Sequence, residues 1–467
     1  MYHSRRAVLS FLSSASSAER RVLVASALGW MLDGMDVTLY ALVIPAVESE
    51  FHLSSGQAGL LASITLVTSA VGGVLFGLLA DRGGRRQALM LSVVVYSAFT
   101  AACGLSRTVI ELAVFRAAVG LGMGGEWATG AALVAETWSS EHRGKALGLM
   151  QSGFALGYGL AAAVAALVFP QWGWRAVFFI GLLPAALALW IRHGVPESSS
   201  WLEERFHVAG SSRPEMSAVV PEQARTSGSN HPQSLQGPGP GSARTESGAR
   251  SYRGMVLLIL LMNSAALFAW WGLFTWIPAY LALPAGSGGR GLTVAASSLW
   301  IAIMQVGMWV GYVSFGFVSD SVGGKRAYVA YMAVATLLVP LYARAGSARN
   351  LLVLGPLMGL FGTGHFTGMS IITSEFFPVR FRAAAMGLTY NFGRILSAAA
   401  PWAIGAMASR WGFAVAFWLS GAAFLIAGLL ALALPDDSSR NRASQDGMSP
   451  RSAALVGVTS RSLPLQT

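Results

Sequence analysis

Asp33 and Asp36 stand inside an otherwise apolar run, LGWMLDGMDVTLYALVIPAV at 28–47. A charge at the centre of a membrane helix costs ~2.5–3.5 kcal/mol on insertion scales, and such groups mark ion and substrate pathways. The i,i+3 spacing puts both carboxylates on one helical face. Two carboxylates about 6 Å apart repel by ~3 kcal/mol at an effective dielectric of 20. The pair is therefore expected to titrate as one unit, holding a proton in one state and releasing it in another. A pair that caps a helix broken at Gly34 is the structural alternative. Four more ionisable side chains share this setting: Arg116 and Glu126 in one apolar run, His365 and Arg394 in two later ones. Glu and His carry protons, and a guanidinium meets a carboxylate with two parallel hydrogen bonds.

The elements that must position these groups are membrane helices. Hydrophobic residues make up 54% of the 467 and charged residues 11%, against about 25% charged in soluble domains. Runs of roughly 20 apolar residues span a bilayer. Twelve such spans are expected at about 22–46, 56–80, 88–105, 109–137, 145–169, 175–193, 253–281, 293–319, 327–345, 351–377, 383–408 and 414–434. With both termini in the cytosol, the tails, the linker and alternate loops on the inner side hold 24 of the 32 Arg and Lys, the outer loops and ends six. That asymmetry orients the chain. It also accounts for the net charge of +11 without nucleic acid as a partner.

Residues 1–21 are expected as a cytosolic tail; Arg5-Arg6 is followed by too short an apolar run for a cleavable signal. Residues 198–252, rich in Ser, Gly and Pro, and 437–467 are expected to be a disordered cytosolic linker and tail. The two bundles are then 22–197 and 253–436. Cys103 is the single cysteine, so no internal disulfide forms.

Rise along the helix sets depths. At ~1.5 Å per residue, Asp36 lies ~21 Å from the inner end of span 1, and Arg116 ~10 Å from the outer end of span 4. The depths match. An Asp36–Arg116 salt bridge that locks the outer side is one reading. An Arg116 that exchanges Asp36 for a substrate carboxylate is another, and the two are compatible. Arg394 lies ~16 Å from the inner end of span 11, near the midplane, and is the candidate for holding a substrate anion. Trp270, Trp271, Tyr390, Asn391 and Gln151 are expected to line the cavity.

The sequence is also written twice, 239 residues apart. Asp81 recurs as Asp320, Gly84 as Gly323, Arg86 as Lys325, Glu136 as Glu375, Arg143 as Arg382, Trp172-Gly173 as Trp411-Gly412 and Pro196 as Pro435. Duplicated membrane halves place a ligand site at their interface and rock about it. Glu126 maps onto His365, and the two are expected to face one cavity. Gly120, Gly122, Gly124, Gly125, Gly153, Gly157 and Gly159 suit close helix packing.

GLLADRGGRR at 77–86, GFVSDSVGGKR at 316–326, the stretch from Arg116 through GLGMGGEWATGAALVAETWSSEHRGKALG, and PESSSWL at 196–202 resemble the loop signature of the major facilitator superfamily over about residues 22–436. LDGMD at 32–36 is similar to the first-span motif of proton-coupled carriers for aromatic acids and sialic acid. GGEW at 124–127 looks more like the sialate, lactate and general metabolite:proton symporters. The resemblance implies an all-α integral membrane fold, twelve helices in two pseudo-symmetric six-helix bundles. It also implies that Asp81 meets the N-terminus of span 11 and Asp320 that of span 5. Arg86 or Arg82 with Glu136 and Arg143, mirrored by Lys325, Glu375 and Arg382, would close the cytosolic side.

The expected function is proton-coupled uptake of a small organic anion, a monocarboxylate, sialate-like or aromatic acid, across the inner membrane. Proton coupling falls to Asp33, Asp36, Glu126 and His365, substrate binding to Arg116 and Arg394. A monomer with no cofactor and no metal is expected, powered by the proton gradient. Span 5 lacks the Gly-Pro pair of drug:proton antiporters, which disfavours the alternative, a proton-driven exporter. The seven His are scattered and no cysteine–histidine group exists, against an enzyme. The linker is too simple for a sensor's signalling domain.

Overall fold

Lipid offers backbone N–H and C=O groups no partners, so apolar runs must satisfy them internally as helices. The computed structural model bears this out. It describes residues 12, 15–138, 142–183, 185–186, 190–191, 194, 196–197, 243–376 and 379–435. Spans 1 to 4 are the helices Ser17–Phe51, Ser55–Gly83, Arg85–Cys103 and Val109–Thr137, and the helix Arg143–Ile180 carries span 5 and the start of span 6. Span 7 is Ala243–Ala282, span 8 Val294–Val322, span 9 Gly324–Arg344 and span 12 Phe413–Leu432. Spans 10 and 11 are each divided, as Ala348–Thr363 with His365–Phe376, and Val379–Ser397 with Ala399–Trp411. Nine helices among the described residues are long and apolar enough to cross a bilayer.

Local chemistry sets the boundaries. Ser16 and Glu19 form a reciprocal cap at the start of span 1, as Ser54 and Gln57 do for span 2. Pro401 has no N–H for the Ser397 carbonyl four residues earlier, and span 11 is interrupted at Ala398. The helix that carries span 7 begins at Ala243, within the segment expected as linker. A nucleated apolar helix propagates into polar neighbours at low cost. The rest of the expected linker, the tail 437–467 and residues 1–11 lie outside the described residues.

The 239-residue repeat holds at the level of backbone angles. Gly84 (φ 102) and Gly323 (φ 92) turn the chain between spans 2 and 3 and between 8 and 9. Gly173 (φ 75) and Gly412 (φ 79) break the chain before spans 6 and 12. A side chain at these angles would be strained. Packing repeats too: Gly72 of span 2 lies directly on the Leu121 carbonyl of span 4, and Gly311 of span 8 on the Leu360 carbonyl of span 10.

Spans 1 and 5 meet in the same manner, with Gly157 on the Met31 carbonyl. Span 1 carries Asp33, so this contact positions the site. A Gly157→Val substitution is expected to push span 1 away, since overpacking costs typically 1–3 kcal/mol. Melting temperature in detergent should fall. Gly77→Ala is the control, because nothing stands within 4 Å of a Cβ there. Equal melting temperatures for the two variants would refute the contact's importance.

The halves meet chiefly along span 5 with span 8 and span 2 with span 11. Gly159 faces Gln305, and Gly59 lies on the Pro401 carbonyl. A further link crosses from span 5 to span 7: Tyr158 Oη donates to the Phe274 carbonyl at 2.7 Å. That carbonyl is free because Pro278, four residues on, has no N–H. At the end assigned to the outside, Arg175 binds Glu50 at 2.8 Å and the Ser106 carbonyl at 3.0 Å. Its hydrogen bond holds the Glu50 carboxyl below the usual carboxylate range.

Candidate functional site

Span 1 presents Gly29, Asp33, Asp36 and Tyr40 along one face, at the i, i+4, i+7, i+11 spacing of a helix stripe. Asp33 and Asp36 are fully buried. Asp36 Oδ2 accepts from Thr100 Oγ1 of span 3 at 3.0 Å. Neither Asp33 oxygen has a hydrogen-bond partner. Glu126 of span 4 is buried likewise, with both carboxylate oxygens unpartnered. Its carboxylate lies where a Cβ on Gly29 would stand, so glycine there admits Glu126 to the face that carries Asp33. The three acids form one cluster, Asp33 acting electrostatically on both others.

Two arginines reach this region from different halves. Arg116 of span 4 lies over the Tyr40 ring, 4.5 Å from its centroid, while Tyr40 Oη is anchored on the Ala58 carbonyl at 2.7 Å. Arg394 of span 11 lies 5.7 Å from the Trp271 centroid and 5.9 Å from that of Tyr390, and its field reaches Asp33. Arg116 Nε and Nη1 and Arg394 Nε and Nη2 have no hydrogen-bond partner. Among the described residues neither arginine makes an ion pair within 4.0 Å; the ion pairs that do form there, Arg85–Asp81, Arg85–Glu136 and Arg175–Glu50, sit at helix ends.

The expected Asp36–Arg116 salt bridge is thus not formed. Thr100 takes the Asp36 carboxylate and the Tyr40 ring takes the guanidinium, two neighbours that helix depth alone does not identify. The expected pairing of Glu126 with His365 across a cavity is also corrected. Glu126 turns to span 1, whereas the His365 ring stacks on Phe366 at 4.4 Å and meets Phe424 of span 12 at 6.1 Å. Repeat-related positions share a depth, but the different side chains pack differently.

A cavity opens beside Arg116. Val37, Tyr40 and Thr65 line it from the N-terminal half with Tyr158, and Trp270, Trp271 and Phe274 from the other. Trp270 stands at the centre of an aromatic cluster with Phe154, Trp271, Phe274 and Phe366, its indole N–H on Thr363 Oγ1 at 3.2 Å. A second cavity, nearer the charge-rich ends, is lined by Gln151, Asn263, Ser370, Thr373, Thr389 and Tyr390. The expected lining residues Trp270, Trp271, Tyr390 and Gln151 therefore bound cavities. Asn391 instead stands against Gly73 of span 2 at the seam between halves. Tyr40, Thr100, Tyr158, Phe274 and Asn263 were not legible as site residues, because polar and aromatic side chains in apolar spans usually serve packing.

At the charge-rich ends, Arg85 does what Arg86 or Arg82 was expected to do. Arg85 binds Glu136 of span 4 at 3.2 Å and Asp81 at 3.0 Å. Arg86 contributes its backbone N–H, which with that of Arg85 donates to Glu197 after span 6, at 3.1 and 2.8 Å. The correction has a rotational cause: one residue is 100° of helix, and only Arg85 points at span 4. In the second half Lys325 donates to the Leu434 carbonyl at the end of span 12. The side chains of Arg143, Asp320, Glu375 and Arg382 lie outside the described residues, as do those at the start of span 11 that Asp81 was expected to meet.

The sequence matches the Major Facilitator Superfamily over residues 26–314 and 288–463. A cis,cis-muconate transport protein of Acinetobacter baylyi is 29% identical over 405 residues, 86% of this chain and 91% of the relative. A sialic acid transporter of Escherichia coli is 28% identical over 413 residues, 87% and 91% of the two chains. The xylose transporter of Escherichia coli, in a partially occluded inward-open structure, superposes with a TM-score of 0.69 at 18% identity, covering 91% of this chain and 99% of that one.

Proposed function

The chain belongs to the Major Facilitator Superfamily and is a membrane transporter rather than an enzyme, and on that premise we propose that it takes up a small organic anion together with protons by alternating access. The observation that carries this reading is Arg394. It is a buried guanidinium from one half, without an ion pair among the described residues, and its field acts on Asp33 of the other half. Transporter relatives named for muconate and sialic acid support an organic acid as the cargo.

Charge balance gives the mechanism. An anion that enters between the halves and binds Arg394 neutralises the guanidinium whose field favours the Asp33 carboxylate. An uncompensated buried carboxylate is costly, so Asp33 takes a proton at that moment. Anion and proton are then held together while the halves rock. When the anion leaves on the other side, Arg394 again attracts the Asp33 carboxylate and the proton is released. Glu126, beside Gly29 on the same face, extends the acid cluster toward the charge-rich ends and receives that proton. Asp36, held by Thr100, is the less mobile member.

The Arg85–Glu136–Asp81 network ties spans 2, 3 and 4 at one end and, with its counterpart in the second half, forms the gate on that side. We take the excess of Arg and Lys at this end as support for a cytosolic position of this end and of both termini, with the protein working as a monomer in the inner membrane. In proteoliposomes, organic-acid uptake is expected to require an inward proton gradient and to collapse with a protonophore. Accumulation that persists without the gradient would refute symport.

A further inference from the structure

Tyr96 of span 3 is fully buried, and its Oη has no hydrogen-bond partner among the described residues. Buried tyrosine hydroxyls usually find one, and a bare hydroxyl costs stability. Two contacts fix its position. Thr100, one turn along the same face of span 3, donates to Asp36 at 3.0 Å and ties span 3 to span 1. Gly122 of span 4 lies directly on the Tyr96 backbone, where a Cβ would overlap its nitrogen. Glu126 follows Gly122 by one turn on that face. Depth agrees along the helices. Tyr96 is ~6 Å nearer the charge-rich ends than Thr100. Asp33 is ~4.5 Å nearer those ends than Asp36, and Gly29, where the Glu126 carboxylate stands, ~10 Å. Side chains lean toward the N-terminus of their helix, which for span 3 is the charge-rich end. Tyr96 Oη thus falls between Asp33 and Glu126 in depth. The charges of Glu126, Asp36 and Asp33 all act on it.

We infer, resting on the proton-coupled reading above, that the Tyr96 hydroxyl relays the proton between Asp33 and Glu126. When the anion leaves, the Asp33 carboxylic O–H breaks and its proton bonds to Tyr96 Oη. In the same step the phenol's own O–H breaks, and that proton bonds to a Glu126 oxygen. Asp33 ends as the carboxylate that Arg394 attracts, Glu126 as the neutral acid, and Tyr96 with one proton as before. The phenol stays uncharged throughout, so the step places no new charge in a buried site. The Asp33 and Glu126 carboxylate oxygens are, like Tyr96 Oη, without a partner. A turn of these side chains therefore closes the line without breaking an existing hydrogen bond. Thr100 cannot take this part, because its hydroxyl is engaged on Asp36.

Tyr96→Phe tests the relay, since it keeps the ring and removes only Oη. In proteoliposomes its gradient-driven uptake is expected to be slower by roughly tenfold or more. Counterflow exchange is expected at the wild-type rate, because the loaded carrier keeps its proton, and anion affinity by tryptophan fluorescence is expected unchanged. The melting temperature is expected at or above that of the unmodified protein, because an unpartnered hydroxyl is removed. Ser97→Ala, which deletes the adjacent buried and unpartnered hydroxyl about 100° around the helix, is expected to leave uptake unchanged. Wild-type uptake in Tyr96→Phe overturns the relay, and so does loss of uptake and exchange in equal measure. A clear fall in melting temperature, or failure to fold, shows Oη held in a structural bond and overturns it too. An equal loss in Ser97→Ala assigns the effect to polarity of span 3 and not to Tyr96. Uptake by the unmodified protein that ignores the proton gradient overturns the symport reading and the relay with it, whereas gradient-dependent uptake equal in both proteins removes the relay alone.

Discussion

Arg394→Lys is expected to weaken binding of the transported anion by about ten- to a hundredfold while keeping a positive charge in the span. The guanidinium lies between Trp271 and Tyr390 with Nε and Nη2 unpartnered. Those two N–H groups form a fork that a carboxylate meets with parallel hydrogen bonds. An ammonium is a point charge and does not reproduce the fork. A hydrogen bond to a charged group is worth about 1.5–3 kcal/mol, and about 1.4 kcal/mol is tenfold in affinity. The measurement is a dissociation constant by tryptophan fluorescence, with the apparent KM of uptake beside it. Wild-type affinity in the Lys variant would return Arg394 to a structural role in span 11.

Asp33→Asn is expected to abolish gradient-driven accumulation and to spare counterflow exchange of labelled for unlabelled substrate. Asn keeps the shape of the side chain but carries no exchangeable acid proton. Exchange needs only that the loaded carrier rocks, and the loaded carrier has a neutral side chain at 33 in either case. Net uptake needs the empty carrier to return, with the proton released and Asp33 facing Arg394 again. Asp36→Asn should have the milder effect, since Thr100 already fixes that carboxylate. Accumulation at the wild-type level in Asp33→Asn would remove Asp33 from coupling. Loss of accumulation and exchange in equal measure would point to folding or substrate binding instead.

Much of the architecture was legible from residue types. The apolar runs gave helices, because lipid leaves the backbone no alternative. The repeat gave the correspondence of spans 2 and 8, and even the glycines with positive φ at 84, 323, 173 and 412, since only glycine tolerates those angles. Buried charges at 33, 36, 116, 126 and 394 stood out because membrane interiors rarely keep them. Partner choice was less legible. Depth matched Asp36 with Arg116, but depth is one coordinate, and the Asp36 carboxylate turned to Thr100. Sequence offset matched Glu126 with His365, but their side chains pack against different helices. The loop motif pointed to Arg86 or Arg82, and the neighbouring Arg85 faces Glu136.

The sequence by itself determined that this chain is a duplicated helical membrane bundle with acids in its first half and an unmatched arginine in its second. Hydrophobicity, charge asymmetry and glycine angles are properties of residues in order, and they survive without coordinates. The tertiary structure alone decided which charges meet. Helix rotation and packing set the field of Arg394 on Asp33 and lay the Arg116 guanidinium over the Tyr40 ring. Those interactions join residues on separate helices, distant in the sequence, and a rotation of one residue, 100°, is enough to exchange one partner for another.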